Sequence, residues 1–186
     1  MADLAFYFGD NIIDPELEQP GLGKILLEAD LQLKKDTARL TSPQTPEGKA
    51  YWDKLYKKAG ELFGTENITI PTITRPWIVP GEIIVRESQG SAFIYKAALK
   101  VMLEQDHLKD SAVYNFSDPR LKELNEYSSQ LIRESIIPKL TQEVNSSKRY
   151  ARLRQVYYSL VFSRWFKMRF SGKSGQYADR IDKHDL

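Results

Sequence analysis

Cysteine is absent, and histidine occurs only at His107 and His184. The first absence removes disulfides, thiol nucleophiles, iron–sulfur clusters and cysteine-ligated zinc. The second leaves no two imidazoles at ligand spacing and no HExxH helix, so neither a metal nor a cofactor is expected. Long apolar runs are missing too. None approaches the roughly 18 residues that a membrane-spanning helix needs. Ser128 and Ser129 lack a Gly-x-Ser-x-Gly frame, and Gly21-Leu22-Gly23-Lys24 lacks the spacer and hydroxyl of a phosphate loop. Met1-Ala2-Asp3 has no basic n-region, and LAFYF after it is too short for a signal core. Nothing in the sequence assigns a compartment; cytoplasmic and extracytoplasmic settings both fit a soluble chain.

Acid is also missing, but only locally. From Val144 to Ala178 there is no Asp or Glu, while eight Lys and Arg fall in the window. The whole chain carries 27 basic and 25 acidic residues, so the remainder holds 19 against 25. A nearly neutral protein is thus a basic element set in an acidic body.

That element is organised as a helix. Across Ser147 to Phe170, Leu153, Val156, Tyr157, Leu160, Val161, Trp165 and Met168 recur at steps of three and four. Ser147 is the expected N-cap, and Gly172 lies just past the end. Phe162, Phe166 and Phe170 form a second apolar flank, which requires burial on two sides or a docked partner.

At 186 residues, 41% apolar and 28% charged, the chain suits one globular domain spanning 1–186. Residues 1–22 read as an irregular lead-in. Residues 23–63 read as an antiparallel helix pair, Gly23–Arg39 and Pro46–Phe63, the second capped by Thr45 and ended by Gly64. Ile25, Leu26, Ala29 and Leu33 form the first stripe. Residues 67–105 are β-branched and aromatic and read as a hairpin region turning at Gln89-Gly90. Alternation there puts Phe93, Tyr95, Ala97, Leu99, Val101 and Leu103 on the core face; a helix over Ala97 to Gln105 competes, because AALKVMLEQ has good helix propensity. ITIPTIT (68–74) is an interrupted or edge strand because of Pro71. A further short strand is expected at AVYNF. Residues 118–170 read as two long helices, the first opening at Asp118-Pro119 and broken near Pro138. Residues 171–186 are a polar tail. The order predicts an α+β fold: an antiparallel sheet of three to four strands, with an N-terminal helix pair and a C-terminal pair of long helices packed on it.

Two constellations carry chemistry. Lys148, Arg149, Arg152, Arg154, Arg164, Lys167 and Arg169, interleaved with Phe162 and Phe166, suit phosphate contact and base stacking on nucleic acid or another polyanion. The same charges suit ion pairs with the acidic helix 118–135 or with a protein partner. A polar set of Arg75, Trp77, Glu82, Glu87 and His107 suits clamping or acid–base work. It equally suits surface ion pairs, a core tryptophan and a solvated turn.

The stretch from Arg75 to Trp165, with RPWIVPGEIIV, IYKAALKVMLE, LNEYSSQLIRESIIPKL and LRQVYYSLVFSRWFK, resembles a domain of uncharacterised bacterial proteins. The resemblance covers about half the chain. It implies a bacterial origin and assigns no site. The leading expectation is a non-enzymatic protein-interaction or structural module. Polyanion binding and an enzyme without a familiar motif stand as alternatives.

Overall fold

Two prolines sit inside one strand of this protein, and their places explain the sheet. The computed structural model describes residues 21–65, 67–70, 75–88, 91–108 and 117–170, with side chains left out at 91, 108, 164 and 166–170. The elements run α1 (Leu22–Leu40), α2 (Pro46–Phe63), β1 (Pro76–Ser88), β2 (Ser91–Leu103), α3 (Glu104–Leu108), α4 (Pro119–Ser135), α5 (Ile137–Ser146), a 3-10 turn (Lys148–Tyr150) and α6 (Ala151–Phe170). No described helix is long and apolar enough to cross a membrane. The α+β class therefore holds. The expected sheet of three to four strands does not: among the described residues it has two, paired antiparallel.

Both edges of this hairpin are blunted against a third strand over its proximal half. On β2, Leu99 N–H donates to Asn145 Oδ1 at 2.9 Å, and Asn145 Nδ2 donates back to the Leu99 carbonyl at 2.7 Å. One side-chain amide thus imitates a strand. Thr141 Oγ1 accepts from Val101 N–H at 3.4 Å, and Tyr158 Oη donates to the Ala97 carbonyl at 3.1 Å. Leu99 points away from β1, so its register partner Pro80 points away from β2. Pro76 lies four residues before it, opposite Leu103. Both prolines therefore present no N–H to the outer edge of β1, where their lack of a donor costs the ladder nothing. Of ITIPTIT, residues 68–70 are coil, with Ile68 and Ile70 half-buried against the core. The remainder, AVYNF, the lead-in, the tail and the Gln89-Gly90 turn lie outside the described residues.

The core gathers residues from α1, α2, β2 and α4 through α6. Leu33, Leu55, Leu103, Leu124, Ile136, Leu140 and Val144 are at most 1% exposed. The ends of α2 and the start of α4 fall where the sequence places them, whereas α3 was not expected. Thr45 caps α2 through its hydroxyl, Gly64 ends it at φ 71°, and Asp118 caps α4. The chain breaks at Ile136, and Pro138 sits in the first turn of α5. Gly48 is required because a Cβ there would lie 1.9 Å from the Ser42 carbonyl oxygen.

Three expectations need correction. The N-terminal helices are not chiefly each other's partners, since α2 rests mainly on α4. The segment 147–170 is not one helix: Ser147 is extended, and a 3-10 turn precedes α6. Arg154 holds that break by donating to the Val144 and Ser147 carbonyls, both at 2.8 Å, so it caps the C-terminus of α5. Lastly, Phe93 and Tyr95 do not face the core. Leu99, Val101 and Leu103 are buried as alternation requires, but Phe93 is 50% and Tyr95 55% exposed. Register shifts between Pro80 and Ile83, and between Ile84 and Val85, interrupt the alternation. A Cβ at Gly81, in the first of them, would meet the Ala98 oxygen at 2.5 Å.

Asn145→Ala strands two half-buried backbone groups of Leu99. We expect it to lower unfolding free energy by about 2 kcal/mol in urea denaturation, whereas a loss under about 0.5 kcal/mol would show that water replaces the amide.

Candidate functional site

Among the described cations of the C-terminal element, Arg149 and Arg154 are engaged by the fold itself. Asp36 of α1 is 1% exposed and accepts from Tyr150 Oη at 2.8 Å and Gln32 Nε2 at 3.3 Å. Arg149 neutralises it at 3.1 Å and reaches Glu143 with its other nitrogen at 2.6 Å. The Glu143 bond raises the Arg149 pKa further above its ordinary value. Arg154 is the cap already described. Arg152 meets Glu28 at 3.2 Å but is 65% exposed, so that pair adds little. Lys148 is exposed and makes no ion pair among the described residues. Phe162 is half-buried and stacks on Trp165 at 5.8 Å. The side chains of Arg164, Phe166, Lys167 and Arg169 lie outside the described residues. The described acids that pair with this element come from α1 and α5. On α4, Asp118 and Glu123 pair instead with Arg120 and Lys58.

The polar set divides into two groups. Arg75, Trp77 and His107 come together where β1 begins and α3 follows β2. The Arg75 guanidinium lies 5.7 Å from the Trp77 ring, and Trp77 meets the His107 imidazole at 5.4 Å. The Trp77 indole N–H is buried without a hydrogen-bond partner among the described residues. Arg75 also reaches Asp30 at 3.4 Å. Next to His107, Asp106 and Arg133 form a two-bond pair at 2.8 and 2.7 Å, which raises the Arg133 pKa. Glu82 and Glu87 lie further along the hairpin. Glu82 makes a cross-strand ion pair with Lys96, and Glu87 stands opposite Ala92. Among the described residues no cluster of three or more His, Asp or Glu side chains is placed to hold a metal ion.

Two features escaped sequence reasoning. A cleft of about 290 Å³ opens between α1, α2, α4 and the start of β1, with Lys34 and Arg75 among its lining residues. It draws on residues far apart in the chain, so no local pattern announces it. The other is exposed apolar surface: Phe93 and Tyr95 on the hairpin arm, and Leu27 and Leu31 on α1 at 58% and 47%. The α1 pair was legible as two leucines one turn apart and off the buried stripe.

Two buried tyrosines tie helices together through their hydroxyls, and a third, Tyr157, is buried beside them. Tyr51 Oη shares a hydrogen bond with Ser128 Oγ at 2.8 Å, and burial raises its pKa. Burial, helped by the Asp36 carboxylate, pushes Tyr150 far up. Burial pushes Tyr157 up to about 12, against the opposing pull of the Gly81 backbone near its hydroxyl.

Compared with known proteins, the chain matches no protein-family model, no curated protein and no solved structure.

Two measurements follow from this buried polar set. Asp36→Ala strands Tyr150 and leaves Arg149 with Glu143 alone, and should cost about 3 kcal/mol by denaturant unfolding. A change within about 0.5 kcal/mol would mean the carboxylate is dispensable. The tyrosine shifts make stability fall with alkali. Their folded pKa values lie above the unfolded value of 10.0. The protonated folded state is therefore favoured fully below pH 10 and progressively less above it. For Tyr157 the loss runs from pH 10 to about 12. Tyr157→Phe should flatten this decline in pH-dependent thermal melts, and an unchanged slope would exclude Tyr157 as a contributor.

Proposed function

We propose that this chain is a non-enzymatic protein-interaction module of a bacterial protein or assembly, docking through the distal half of the β1–β2 arm. The observation that carries this reading is the exposure of Phe93 and Tyr95 two residues apart on one strand. Single exposed apolar residues are ordinary, but paired large aromatics on an arm that leaves the core favour a partner surface. Arg86 lies over the Tyr95 ring at 3.6 Å. That contact restrains the ring and leaves less side-chain freedom to lose on docking. Tyr and Arg are also the side chains that most often anchor interfaces. The ion pair of Glu82 with Lys96 leaves the middle of the arm near neutral, which suits an apolar contact.

Polyanion binding through the basic helix is less well supported. Arg149 and Arg154, two of the expected phosphate contacts, already neutralise Asp36 and Glu143 or cap α5. A bacterial origin rests on the resemblance over residues 75–165.

A photo-crosslinking phenylalanine analogue placed at position 93 tests the reading in cells of the source organism. We expect one discrete protein adduct, absent when the analogue replaces Lys54 on the polar face of α2 and lost when Tyr95→Ser is added. No adduct at 93, or the same adduct from position 54, would overturn it, and a nucleic-acid adduct would replace it with the polyanion reading.

A further inference from the structure

We propose that the cleft between α1, α2 and the start of β1 binds a small amphipathic anion, an aliphatic or aryl carboxylate with its head toward Lys34 and Arg75. This site is separate from the hairpin arm and stands on its own geometry. The cleft measures about 290 Å³, just below the usual range for small-molecule sites, so its ligand must be small. Its inner wall is apolar and aromatic, from Leu33, Tyr51, Trp52 and Ile132.

The polar atoms on that wall are committed to the protein. The Trp52 indole N–H donates to the Thr41 carbonyl at 2.8 Å, and the Thr37 hydroxyl donates to the Leu33 carbonyl at 2.7 Å. Tyr51 Oη is held by Ser128 at 2.8 Å. The wall therefore has few donors to offer a ligand, and a polar body would lose its hydration without replacement. The charged lining is different. Lys34 and Arg75 both lean on the single carboxylate of Asp30, at 2.8 and 3.4 Å. Among the described residues, two cations against one anion leave one positive charge uncompensated beside an apolar cavity. Lys34 and Arg75 are both exposed, so each can turn toward a ligand without breaking the core. An apolar body in the cleft and a carboxylate at its charged edge satisfy both halves at once.

The full chain can be titrated with octanoate and phenylacetate, and with octanamide and phenylacetamide as neutral counterparts. The Trp52 indole resonance in a nitrogen–proton correlation spectrum reports occupancy. We expect saturable shifts with each carboxylate, binding about tenfold tighter than the matching amide. Combining Lys34→Gln with Arg75→Gln should erase that tenfold preference while amide binding persists. Ala38→Phe, at an exposed position lining the cleft, should block all four probes with the melting temperature kept. No saturable shift in the unaltered chain would overturn the proposal. So would equal affinity for acid and amide, or undiminished binding to a folded Ala38→Phe variant. Because both glutamine substitutions lie on exposed side chains, they keep the charge claim testable should Ala38→Phe fail to fold.

Discussion

A carboxylate taken out of water must be met by a cation or by several donors, because its desolvation costs several kcal/mol. Asp36 is such a group, and much of this structure is arranged to meet it. Its demand draws Tyr150 into the core, places the 3-10 turn after α5 and fixes Arg149 between Asp36 and Glu143. With the turn fixed, α6 begins where Leu153, Tyr157, Val161 and Trp165 fall against the core at successive four-residue steps. The basic run that dominates the sequence thus serves two ends. Its first residues hold the fold together, and Arg154 closes the preceding helix. Substituting them changes the scaffold before it changes any binding surface.

A second constraint acts on the hairpin. An open strand edge invites another strand, and natural proteins blunt such edges. Here the proximal edge of β2 is covered by Thr141, Asn145 and Tyr158, while β1 carries Pro76 and Pro80 on its outer side. The two devices differ in kind: one satisfies the backbone, the other removes its donor. Both act near the helices. Beyond the register shifts the arm has no described helix side chain bonded to its edge, and there the exposed aromatics appear. Along one pair of strands the near end is packed and the aromatics of the far end are exposed.

Local signals were legible in the residues, and relations between distant ones were not. Thr45-Pro46, Gly64 and Asp118-Pro119 mark helix ends through chemistry confined to a few bonds, so the ends of α2 and the start of α4 could be read directly. Leu99, Val101 and Leu103 alternate onto the core face because the pleat has a period of two. The same pattern extended to Phe93 and Tyr95, where it failed. Alternation says which face a residue takes but not whether anything covers that face, and a bulge resets the count. The number of strands went wrong for a related reason. β-branched content in ITIPTIT reports propensity, whereas a third strand needs a free edge, and Asn145 on one side and two prolines on the other had blunted both.

The candidate sites divide along the same line. Arg75, Trp77 and His107 could be named from the sequence, but their meeting depends on β1 starting beside the strand-to-helix junction at Glu104, where Glu104 N–H bonds the Arg75 carbonyl. The cleft near Lys34 needs α1, α2, α4 and β1 together and had no local trace. By itself the sequence determined the helix boundaries set by caps, the α+β class, the absence of cysteine chemistry and the charge asymmetry, since each follows from neighbouring residues or from composition. Tertiary structure alone decided which cations are spent on Asp36 and Glu143, which aromatics stay in water and where a cleft remains. Those outcomes depend on long-range burial, where one helix laid across a strand changes the environment of residues 40 or more positions away.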